Sequence, residues 1–79
     1  MNTTNEILYA DGFEDALIGT GIQFNTKLAV YDYDICVQIL MDRDDMTQED
    51  AEEYMDYNVT GAWVGDNTPV FIRLGLNSF

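Results

Sequence analysis

Eight carboxylates and one arginine fall within the sixteen residues DRDDMTQEDAEEYMDY, positions 42–57. Carboxylates at this density can exchange protons, ligate a hard cation, or present negative charge to a basic partner. Proton exchange needs a pair of acids tuned apart by their surroundings. Glu14 with Asp15 and Asp32 with Asp34 are available as pairs, but fifteen acids in the chain make any single pair uninformative. There is no histidine. That removes the ordinary neutral-pH proton shuttle and the commonest metal ligand. Asp42, Asp44 and Asp45 do not continue into a calcium loop. No glycine stands at the sixth position, and Glu53 falls at the twelfth without the intervening ligands. One cysteine and no histidine argue against zinc. Cys36 lies among Ile35, Ile39 and Leu40 at helical spacing, as a small buried hydrophobe does, and reads as core and not as a nucleophile. No Ser-His-Asp set, phosphate-binding glycine loop or dinucleotide fingerprint occurs. The expectation is a non-enzymatic protein without metal or cofactor.

The third use of the carboxylates fits better. Glu49, Glu52, Glu53 and Asp56 stand at i, i+3, i+4 and i+7, one side of a helix. Like charges at this spacing each cost ~0.2–0.5 kcal/mol, so the pattern does not serve helix stability. A solvated face and a docking face both account for it. The docking set comprises Asp42, Asp44 and Asp45 in the preceding connection with Glu49, Glu52, Glu53 and Asp56 on the helix.

These residues need a helix to position them, and its start is well marked. Thr47 is placed to cap it, with Asp50 three residues on and Glu49 in the first turn, where the helix dipole favours negative charge. The apolar stripe behind the acids is Ala51, Tyr54, Met55, Val59, Ala62 and Trp63. An earlier helix follows Asp32 as N-cap, runs over 33–42, and carries Ile35, Cys36, Ile39 and Leu40 as its stripe. Strands are expected at 7–10, at 16–24 with a bulge near Gly19 and Gly21, at 27–31, and at 70–74. Asn25-Thr26 and DNTP mark turns, and residues 1–5 fray. The order β-β-β-α-α-β is α+β: a small, mostly antiparallel sheet with two helices packed on one face. The position of the last strand in the sheet is left open.

Seventy-nine residues make one domain with a small core. Fifteen acids against Lys27, Arg43 and Arg73 give a net charge of −12, which repels nucleic acid and anionic membranes and attracts basic protein surfaces. A lone cysteine fits a reducing cytoplasm, and no leader or membrane-spanning run is visible. Ten aromatics are many for this length. Most belong to the core. Phe13, Tyr33, Tyr57 and Phe79 are candidates for exposure, where they would form a protein-binding patch or a homodimer interface.

Three stretches carry a family resemblance: YADGFEDALIGTG, YDYDICVQILM and MTQEDAEEYMDYNVTGAWVGDNTPVF. Met46, Thr47, Glu49, Ala51 and Tyr54, then Asn58, residues 61–65, Thr68 and Pro69, are its most specific part. The chain resembles a family of short acidic proteins of unknown function found in tailed-bacteriophage genomes. That resemblance implies a viral protein acting in the host cytoplasm, by contact with a host protein that it modulates or inhibits. A basic nucleic-acid-binding or defence protein is the natural target. It assigns no catalytic residue. Two other functions stay open: a small-molecule or divalent-metal binder built from the Gly19–Gly21 strand and the GDNTP loop, and a structural or scaffolding component of the phage.

Overall fold

The computed structural model describes residues 7–62 and 65–74. The expected frayed start, Trp63 and Phe79 lie outside them. A 3-10 turn (Glu14–Ala16) leads into β1 (Leu17–Gln23) and β2 (Thr26–Asp32). Two helices follow, α1 (Tyr33–Arg43) and α2 (Gln48–Tyr54). A π-helical turn (Met55–Val59) continues α2, and β3 (Val70–Ile72) closes the fold. The class is α+β.

β1 and β2 pair antiparallel through a two-residue turn at Phe24 and Asn25, both at positive φ (55° and 81°). This is one residue earlier than the Asn25-Thr26 turn expected from sequence. Positive φ at both central residues matches the twist of the flanking strands. The bulge falls between Leu17 and Gly19. β3 joins β2 in parallel, pairing Val30 with Val70 and Asp32 with Ile72. The strand order is β1-β2-β3, so the sheet is mixed and, among the described residues, the last strand is an edge. Both helices form the crossover that a parallel return requires.

Residues 7–10 are not a strand. The Ala10 amide instead donates to the Tyr31 phenol oxygen at 2.8 Å. A side chain thereby satisfies a backbone group that the expected strand would have turned to the sheet. The next turn is held by Arg43, whose guanidinium donates to the Gly12 carbonyl at 3.2 Å and lies 5.6 Å from the Phe13 ring centre.

Alternation along β2 sends Ala29 and Tyr31 into the core with Cys36, Val37 and Leu40 of α1, Ala51 of α2 and Met55. Tyr31 stacks on Phe71 of β3 with ring centres 5.2 Å apart. Asp32 caps α1, its Oδ1 accepting from the Ile35 amide at 3.1 Å. The buried face of α1 is Tyr33, Cys36, Val37 and Leu40, with Ile39 half-buried beside it. Ile35 is exposed. The expected stripe is therefore rotated by about one residue, because the cap sets Tyr33 against the core.

Candidate functional site

Thr47 caps α2 as expected, its Oγ1 accepting from the Asp50 amide at 3.1 Å. The regular helix ends after seven residues. The Thr60 amide then donates to the Met55 carbonyl, five residues back, at 2.7 Å. That π turn inserts an extra residue relative to α-helical spacing and rotates everything after Tyr54. Met55 is fully buried and Val59 half-buried, whereas Tyr54, expected in the core, is exposed. Gly61 closes the turn at very short range: a Cβ there would meet the Asp56 carbonyl oxygen at 2.5 Å.

The rotation reshapes the acidic ladder. Glu49 and Glu53 are exposed on α2, and Glu52 is half-buried with Gln48 donating to it at 3.2 Å. Asp56 belongs to the π turn. Its Oδ1 accepts from the Tyr33 hydroxyl at 3.1 Å. Above that same Tyr33 ring, 4.3 Å from its centre, sits the Arg73 guanidinium. Burial and the Asp56 carboxylate push the Tyr33 phenol above its ordinary pKa, so it stays a neutral donor. Asp56 thus ties the π turn to the start of α1 and stands beside one of the chain's three cations. Glu49 and Glu53 are the acids of this face that remain purely solvent-directed.

The connection splits in a similar way. Asp42 sits on the last turn of α1 and accepts from Gln38 at 3.2 Å. Asp44 forms the only ion pair among the described residues, taking both Nε and Nη2 of Arg43. Asp45 is exposed in the left-handed region at φ 58° and has no such partner among the described residues. Among the described residues, no three acids or cysteines converge to hold a metal ion.

Beside the acids the structure places aromatic surface that sequence reasoning assigned only in part. Tyr57 is 77% exposed, as expected, and Tyr54 is exposed beside it. With Met46, Asp50, Glu53 and Asn58 they line a shallow cleft of ≈ 390 Å³. Phe13 and Tyr33, the other described candidates for exposure, are buried. Tyr54 and Tyr57 stand at i and i+3, neighbours on a helix surface, and the expectation of a buried Tyr54 hid the pair.

The GDNTP loop meets the end of β1 at Gln23 and not at Gly19 or Gly21. Asp66, Thr68 and Pro69 line a cleft with Gln23 and Leu28, and the Asn67 side chain donates to the Lys27 carbonyl at 3.1 Å. Cys36 is fully buried, and desolvation pushes its thiol up to about 11, the state of an inert core residue. No described helix is long and apolar enough to cross a membrane. No protein-family model, no curated protein and no solved structure matches this chain.

Proposed function

We propose that this chain is a non-enzymatic binding protein that engages a protein with a basic surface through α2 and the connection before it. The carrying observation is the cleft of Met46, Asp50, Glu53, Tyr54, Tyr57 and Asn58, where exposed aromatics stand directly beside solvent-directed acids. Aromatic side chains supply contact area at low entropy cost, and a charged surround steers a cationic partner toward it. Glu49 and Glu53 provide that charge. Asp45 extends it, while Asp42, Asp44, Glu52 and Asp56 contribute through carboxylates already engaged within the chain. The resemblance to short acidic phage proteins extends the proposal to a host target, in the host cytoplasm, that the protein modulates or inhibits.

Capture from bacterial lysate on immobilised protein, compared at low and high salt, tests this. The expected result is a partner of basic isoelectric point, released by salt and lost in the Glu49→Lys/Glu53→Lys double variant. Tyr57→Ala weakens capture without changing its salt dependence. Equal capture by wild type and the double variant, with circular dichroism unchanged, removes the acidic face from the mechanism.

A further inference from the structure

The outer edge of β1 has no neighbouring strand among the described residues. In a hairpin closed by two residues the flanking pair, Gln23 and Thr26, is hydrogen-bonded, and bonding alternates from there. Thr20 and Ile22 therefore direct their amides and carbonyls away from β2. Edges of this kind are normally blunted by charge, proline or a covering element. The β1 sequence LIGTGIQ contains neither charge nor proline, in a chain of fifteen acids. Its apolar side chains face solvent: Ile18 is 50% exposed and Ile22 75%. The turn that follows holds Phe24 89% exposed at φ 55°, a conformation that bulky residues avoid.

We propose that β1 pairs with β1 of a second copy, antiparallel about a two-fold axis at Thr20, giving one continuous six-stranded sheet. The occupant follows from the sequence of the edge. Ile18-Gly19-Thr20-Gly21-Ile22 reads the same in both directions, and an antiparallel two-fold pairing sets each residue against its mirror position. Ile18 meets Ile22 of the second copy, Gly19 meets Gly21, and Thr20 meets Thr20. This register also joins the outward-facing amides and carbonyls of Thr20 in a mutual pair. It leaves Gln23 opposite Leu17, so Phe24 of each copy comes down beside the exposed end of the other strand. The bulge at Ile18 bends the strand near the end of this pairing, between Gly19 and Leu17. The strand LIGTGIQ itself brings no charge to the contact between two copies that each carry −12.

Salt separates this contact from the acidic-face reading. Screening weakens capture of a basic partner and strengthens pairing between two like-charged chains. Sedimentation equilibrium of the full chain at low and high salt is expected to show a monomer–dimer equilibrium that shifts toward dimer as salt rises. Ile22→Lys weakens it at least about tenfold. Thr20→Pro, which removes only an outward amide, abolishes it with circular dichroism intact. A Thr20→Cys variant forms a disulfide-linked dimer under mild oxidation, because hydrogen-bonded partners stand ~5.5 Å apart at Cα, within disulfide reach. Ile22→Cys, set against position 18 of the second copy, links far more slowly. Should Thr20→Pro unfold the chain, the two cysteine variants decide the matter with the backbone untouched. A monomer up to about 1 mM at high salt, a dimer indifferent to Ile22→Lys, or faster linkage through position 22 overturns the proposal. So does a wild-type chain that stays monomeric and takes up another protein's strand.

Discussion

Gly61→Ala is the sharpest probe of the π turn that shapes the acidic face. The added Cβ would lie 2.5 Å from the Asp56 carbonyl oxygen, about 0.9 Å inside ordinary van der Waals contact. The obstructing atom is backbone, and its neighbours Met55 and Thr60 are tied by the π hydrogen bond, so no side-chain rotation relieves the overlap. Forcing an extra carbon into such a site costs ~1–3 kcal/mol. Replacing glycine returns ~0.4–1 kcal/mol through the unfolded chain. The net loss is about 1–2 kcal/mol from a total stability of roughly 4–12 kcal/mol for this length. At ~4–8 °C per kcal/mol, Tm falls by roughly 5–15 °C. Thermal unfolding followed by circular dichroism in dilute solution measures it. Gly19→Ala is the control, since a Cβ there meets nothing within 4 Å, and Tm is expected to hold or rise slightly. A Gly61→Ala variant as stable as wild type refutes the claim that the Asp56 carbonyl and Gly61 are locked together.

The turn between β1 and β2 offers a gain. Phe24→Asn with Asn25→Gly supplies residues suited to positive φ, and urea unfolding at low protein concentration should show about 1 kcal/mol of added stability. Neutralising Glu53 removes its like-charge contacts with Glu49 and Asp50 on α2, so Glu53→Gln should raise stability by ~0.4–1 kcal/mol at low salt, and by less as salt rises. A Glu53→Gln chain that is less stable at low salt would show that the carboxylate has a structural partner. Alkaline pH should destabilise the fold. The folded Cys36 thiol titrates near 11 and the unfolded one near 9.0, so the protection is complete below pH 9 and is lost as pH rises toward 11. Tyr31 and Tyr33, both raised by burial, extend the loss to higher pH, and Cys36→Ala should flatten the first part of the urea midpoint against pH.

Some of this molecule was set by neighbours in the chain. Asp32 and Thr47 each needed only an amide three residues ahead to start a helix, and the structure forms both caps. The bulge just before Gly19 and the burial of Cys36 followed equally local signals. So did the acidic character of α2, since charge and spacing do not depend on packing. What the sequence misplaced was decided by groups far apart in it. Residues 7–10 lost their strand because the phenol of Tyr31, twenty-one positions on, took the Ala10 amide. Asp56 left the ladder because Tyr33 and Arg73 gave it a partner and a nearby cation. The helix after Tyr54 widened into a π turn closed by Thr60 and Gly61, which no periodicity at 3.6 residues anticipates. β3 ran parallel to β2 because both helices intervene as a crossover, and strand direction has no local signature. Caps and charges are properties of a few adjacent residues. The direction of a strand, the rotation of a helix end and the company an acid keeps are fixed only when the core closes.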